Sequence, residues 1–178
     1  MKRLAALLLL FSLPSYATWS IILIDPKTGE IGIAGASCTP NCYGIGRIVP
    51  GKGAIIVQAM SNSDARKKGL EMIRAGASPE QIIAALRDPQ FDPEHQQYAV
   101  VTLAHPDASR TYTGDSTHAH KGALTAYGVS VQGNTLANEQ ELQVILDAVL
   151  QGQKENLRID ETLMRALVAG SEAGGDRR

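Results

Sequence analysis

The sequence predicts a single α+β domain: a largely antiparallel sheet, or pair of sheets, covered by helices. Three observations carry this. The segment opening at Trp19 is rich in β-branched residues, two helical segments occupy the middle, and further strands lead into a closing helical pair. The 178 residues suit one ordinary domain. With 44% hydrophobic and 20% charged residues, the chain can bury a core and is not disordered.

Trp19 to Ile24 reads as the first strand. Asp25-Pro26-Lys27-Thr28-Gly29 is turn chemistry, since proline sets φ and glycine supplies a positive one. Ile31 to Ala36 returns as the second arm of a hairpin, and Gly53 to Met60 reads as a third, buried strand. Asp64 to Arg74 predicts a helix that ends at Gly76. Ser78-Pro79-Glu80-Gln81 starts another: serine as N-cap, proline at the first helical position, glutamine at the capping-box position. Gln97 to Leu103 and Ser109 to Thr113 read as strands joined by a His105-Pro106-Asp107 turn. Ala126 to Val131 is a further strand, followed by a Gln132-Gly133-Asn134 turn. Asn138 is read as the cap of a helix whose Leu142, Ile145, Leu146, Val149 and Leu150 form one apolar face. A last helix starts near Asp160, with Leu163, Leu167 and Val168 inward.

The first 17 residues have the form of a secretion signal. Lys2 and Arg3 precede an apolar run from Leu4 to Leu13. Pro14 breaks the run, and Ser15-Tyr16-Ala17 puts small residues where signal peptidase reads them. Cleavage is expected between Ala17 and Thr18, leaving a domain over residues 18–178 in the periplasm or outside the cell. Removing Lys2 and Arg3 leaves 15 basic against 18 acidic residues. A mildly acidic chain is a poor nucleic-acid binder. No apolar run reaches the roughly 20 residues of a membrane span, so no stable membrane insertion is expected.

The expected cut makes Thr18 the N-terminal residue. A hydroxyl and an α-amine then share one residue, and the amine has a pKa near neutrality, about 7.7–8.0, so that it can act as base for the hydroxyl. That is the minimal equipment of an amide-cleaving nucleophile. His118 and His120 would face the same way in a strand and could share a zinc ion, but no third ligand is placed by the sequence, and a polar loop is the reading adopted, with no metal. Cys38 and Cys42 enclose a turn-like Thr39-Pro40-Asn41. In an oxidising compartment a small-loop disulfide is expected there, fixing local shape more than adding stability. Gly44-Ile45-Gly46 lacks the strand-to-helix context of a dinucleotide loop. No cofactor is expected.

Several stretches together resemble the family called domain of unknown function 1028. They include Ala17-Thr18-Trp19-Ser20-Ile21, Asp25-Pro26 with Thr28-Gly29-Glu30, Gly53-Ala54 with Gln58-Ala59, Tyr112-Thr113-Gly114, Ser130-Val131-Gln132-Gly133-Asn134 and Gly174-Gly175-Asp176-Arg177-Arg178. The resemblance implies a four-layer αββα sandwich similar to the N-terminal-nucleophile hydrolases. It implies Thr18 as nucleophile with its own amine as base. It sets Ser37, near the end of the second strand, beside Thr18. Gln132 and Asn134 would orient substrate, and backbone amides near Gly133 would stabilise an oxyanion. No lysine is placed beside Thr18; Lys52 is considered on no motif. Relatives run on beyond the Gly-Gly-Asp-Arg-Arg motif into a stretch that looks like a strand, so a final strand is expected to be lacking. The function expected is that of an exported amidohydrolase acting on a small-molecule or peptide amide, with self-association left open. The alternative is a non-catalytic envelope protein that uses the same fold for binding or assembly.

Overall fold

The computed structural model describes residues 17–118 and 120–175. All of the expected leader but Ala17 lies outside the described residues, as do Asp176 to Arg178. The elements run β1 (Thr18–Asp25), β2 (Glu30–Ser37), β3 (Gly46–Val49), β4 (Gly53–Ala59), α1 (Ser63–Arg74) and α2 (Pro79–Leu86). They continue as β5 (Gln96–Thr102), β6 (His105–Thr113), β7 (Gly122–Ala126), β8 (Val129–Asn134), α3 (Glu141–Lys154) and α4 (Ile159–Ala173). The strands form two four-stranded antiparallel sheets, ordered β2-β1-β8-β7 and β3-β4-β5-β6.

The pleat explains why both faces of each sheet are buried. Residues alternate across a strand, so Trp19, Ile21 and Leu23 of β1 join Val129 and Val131 of β8 on one face. There they pack against Leu142, Ile145, Leu146 and Val149 of α3 and Leu163 and Ala166 of α4. The other face of β1 carries Ile22 and Ile24 against Ala54, Ile56, Ala99 and Val101 of the second sheet. The far face of that sheet, with Ile55, Val57, Tyr98 and Val100, is covered by Ala65 and Ile73 of α1 and Ile82, Ile83 and Leu86 of α2. Ile145 is fully buried, and truncating it to alanine would cost about 2–5 kcal/mol.

Local chemistry sets the element ends. Asn62 caps α1, its side chain accepting from the backbone N–H groups of Asp64 and Ala65. Ser78 and Gln81 form the expected capping box of α2.

Several expectations are corrected. The segment read as one strand from Ala126 to Val131 is a hairpin, β7 to β8, turning at Tyr127-Gly128. Gly128 has φ +70°, and a Cβ there would stand 2.8 Å from the Ile24 carbonyl oxygen, so only glycine fits. The supposed Gln132-Gly133-Asn134 turn is the end of β8. His105-Pro106-Asp107 is strand, because the chain turns earlier, at Leu103-Ala104. The four-residue β3 has too short a pattern to be read from sequence. Asn138 accepts from the Gln140 N–H in the turn ahead of α3, which begins only at Glu141. Leu150 and Val168 are exposed, because a helical turn of about 3.6 residues carries each to or past the margin of its helix's buried face.

Candidate functional site

Thr18 begins β1, between β2 and β8. Its cross-strand partners are Ser37 on one side and Asn134 on the other. Directly opposed residues share a face, so three polar residues form a row across three strands, on the side turned to the second sheet. Thr18 Oγ1 and Ser37 Oγ are 2.8 Å apart. Ser37 Oγ also accepts from the Thr39 N–H at 3.3 Å and the Thr39 hydroxyl at 3.2 Å. The single Thr39 hydroxyl proton also lies within reach of the Asn41 carbonyl at 3.4 Å, so either hydroxyl of the Thr18–Ser37 pair can be the donor. The expected proximity of Thr18 and Ser37 is therefore present, and every partner of the pair among the described residues is uncharged.

Behind this row the space between the sheets is polar. The Ser20 hydroxyl donates to Gln58 Oε1 at 2.5 Å, and Gln58 Nε2 donates to Gln97 Oε1 at 2.6 Å. Gln97 Oε1 also accepts from Asn134 Nδ2 at 3.3 Å. Gln97 Nε2 donates to Thr113 Oγ1 and to the carbonyls of Gly122 and Gly133, at 2.9–3.0 Å. Gln132 Nε2 donates to the Ser20 hydroxyl and carbonyl, while the Ser130 hydroxyl donates to Gln132 Oε1. All of these glutamines are buried, and buried amides are stable only when bonded in this way. The network ties strands of both sheets together and holds Asn134 from behind.

The parts assigned to Gln132 and Gly133 look different in this setting. Gln132 stands opposite Ser20, one inward-facing position beyond Thr18, and its amide is engaged inside the network. Gly133 lies in a strand flanked by β1 and β7, and its carbonyl accepts from Gln97. Asn134 alone of the three reaches the Thr18 row. Lys52 sits in the turn before β4, at the end of that strand away from Gln58, where its ammonium donates to the Arg74 carbonyl. Ser20, Gln58 and Gln97 are the members that sequence reasoning missed. The available signal was a polar residue at an inward position of an otherwise apolar strand.

Past Gln58 the chain leaves β4 through Ala59 (φ 68°) and Ser61 (φ 53°), two non-glycine residues in the left-handed region. Strain of this kind collects at functional sites, and Met60 between them is exposed. A cavity of about 600 Å³ opens at the opposite end of β1, beside Asp25, Tyr127 and Arg158. It is remote from Thr18, so the candidate site is defined by converging polar groups and not by that cavity.

Cys38 and Cys42 are free thiols in this structure, both half-buried, with Cys42 Sγ donating to the Gly35 carbonyl at 3.6 Å. His118 and His120 are exposed in the loop between β6 and β7. Among the described residues no three potential metal ligands cluster, and no helix is long and apolar enough to cross a membrane.

Among the described residues, a mixed α+β domain with two antiparallel sheets, four α-helices and a polar row at the start of the second strand in sheet order is the class these features define. The chain belongs to DUF1028, a family of unknown function, which matches residues 18–178. It is similar to the crystal structure of protein SPO2555 from Silicibacter pomeroyi, which carries the same family designation. The two are 26% identical, with a TM-score of 0.80 over 89% of this chain and 69% of that one. No match was found among curated proteins.

Proposed function

We propose that the chain is an exported amide hydrolase whose nucleophile is Thr18, exposed by removal of residues 1–17. The observation that carries this is the Thr18 hydroxyl, 2.8 Å from Ser37 Oγ, at the start of a central strand and level with Asn134. In the mature chain the Thr18 amine takes the hydroxyl proton as the oxygen attacks a substrate carbonyl. Ser37 orients the nucleophile through its hydrogen bond, and the Asn134 amide faces the same row. The polar network behind them keeps that row in register.

The packing of α3 and α4 on one sheet and of α1 and α2 on the other supports a four-layer αββα sandwich similar to the N-terminal-nucleophile hydrolases. Fold likeness alone does not establish chemistry, so the test is chemical. N-terminal sequencing of the exported protein is expected to start at Thr18. An amide-directed electrophile is expected to label that residue, and Thr18→Ala to lose both label and hydrolysis. A Thr18→Ala variant hydrolysing amides at the parent rate would replace this reading with a binding or assembly role.

A further inference from the structure

We propose that Arg66 and Arg47 form an anion site at the Thr18 end of the two sheets, and that the amide cleaved there carries a carboxylate which this site reads. The second half rests on the reading of Thr18 as a nucleophile; the anion site itself does not.

Two loops leave the sheets at that end. One follows Ser37, the ladder partner of Thr18, and runs through Thr39 and Tyr43 to β3. The other follows Gln58, whose side chain is bonded to Ser20, and runs through Ala59, Met60 and Ser61 to α1. Each loop holds one guanidinium. Arg47 donates to the carbonyls of Tyr43 and Gly46, at 3.2 and 2.8 Å, and its guanidinium carbon lies 5.5 Å from the centroid of the Tyr43 ring. Arg66 donates to the Ser61 hydroxyl at 3.1 Å, and that hydroxyl donates onward to the Val57 carbonyl. Exposed side chains flank both arginines: Tyr43 is 83% exposed and Met60 71%.

Neither arginine has a carboxylate partner. Among the described residues the arginines in ion pairs are Arg158 and Arg165, both at α4. Arg66 is half-buried, and the charge that bears on it is a second cation. Burial pulls its pKa below the ordinary arginine value, and the Arg47 charge pulls the same way. Arginine does not escape by losing its proton, so two like charges remain together. An incoming anion relieves that repulsion and takes up guanidinium N–H groups that have no other acceptor. The planar fork of arginine matches a carboxylate edge-on, and carboxylates accompany amides in peptides and acyl amino acids.

The test uses the chain beginning at Thr18. Two matched pairs place the carboxylate on either half of the amide: glutaryl-p-nitroanilide against its methyl ester, and acetylglycine against acetylglycinamide. Hydrolysis is followed by nitroaniline release or by chromatography of the amine. In at least one pair the acid is expected to exceed its neutral partner about tenfold or more in kcat/KM, chiefly through KM, the scale of one hydrogen bond to a charged group. Arg66→Gln is expected to bring that ratio to about one, and Arg47→Gln to lower it. Lys27→Gln, which removes an exposed cation at the other end of β1, is expected to keep it. Raising salt from about 0.05 to 0.5 M is expected to shrink the preference. Acid and neutral substrates cleaved alike in both pairs overturn the inference and leave Thr18 as nucleophile, as does a preference unchanged in Arg66→Gln. If nothing is cleaved, the nucleophile reading falls, and calorimetry with glutarate, glutaramide and inorganic phosphate decides the anion site. Glutarate binding that glutaramide does not match and that Arg66→Gln loses upholds the site. Absence of glutarate binding, or a preference for phosphate, overturns it as a carboxylate site.

Discussion

Thr18 and Ser37 are ladder partners on adjacent strands, and their hydroxyl oxygens lie 2.8 Å apart. The strand pairing that builds the sheet therefore also builds the contact, so a substitution that removes the proposed chemistry should leave the fold intact. Thr18→Ala is expected to abolish amide hydrolysis, and Thr18→Ser to keep part of it because hydroxyl and amine both remain. Ser37→Ala is expected to lower kcat by about a hundredfold, on the order of the loss when a reacting group is held out of position. Neither residue is deeply buried, so thermal melts should shift little. A large fall in Tm with unchanged kcat would mark Ser37 as merely structural.

Gln97 is the hub between the sheets, bonded to Gln58, Asn134, Thr113 and two backbone carbonyls. Gln97→Leu removes one partner from each, and Gln58, Asn134 and Gly133 stay buried. The cost is expected to be about 1–3 kcal/mol or more, the penalty for orphaned buried polar groups. Urea titration would measure it. Activity should fall as well, since Asn134 loses its anchor; a variant as stable as the parent would mean that water replaces the amide.

Glu141 gives stability a pH dependence. Its carboxyl is buried, with Oε2 accepting from the Ala137 N–H and Oε1 without a partner among the described residues. Burial raises its pKa above 4.5, and the Ala137 N–H pulls the other way. A carboxyl whose folded pKa exceeds its unfolded value stabilises fully below the unfolded value and loses that contribution as pH rises through the folded one. Glu141→Gln, neutral throughout, escapes this loss. Relative to that variant the parent is expected to lose stability as pH rises from the ordinary glutamate range towards neutrality. Parallel denaturant titrations at several pH values would read it, and a gap independent of pH would refute it.

Cys38 and Cys42 are thiols here, four residues apart across the Thr39-Pro40-Asn41 turn. Export to an oxidising compartment is expected to join them. Thiol titration of unfolded protein from a periplasmic preparation should then find none, and reduction should release both. So short a loop constrains the unfolded chain little, so reduction should move Tm only slightly. Two free thiols in the exported protein would exclude the pairing.

The hairpin of β1 and β2, the capping box of α2 and the apolar stripes of α3 and α4 were legible in the sequence, because each depends on neighbours within a few residues. Proline, glycine and a period of two or 3.6 suffice for such features. Thr18 could be singled out for a similar reason: the small residues of the expected leader point to it locally. The rest was decided by pairing between distant strands. Ser20, Gln58 and Gln97 look like isolated polar interruptions until both sheets are stacked, when their side chains hydrogen-bond one another in turn. Gln132-Gly133-Asn134 has turn-like composition, yet it is strand, because β1 and β7 supply hydrogen bonds on both sides that no local pattern reveals. The row of Ser37, Thr18 and Asn134 spans residues 18 to 134, and only the register of three antiparallel strands brings them level.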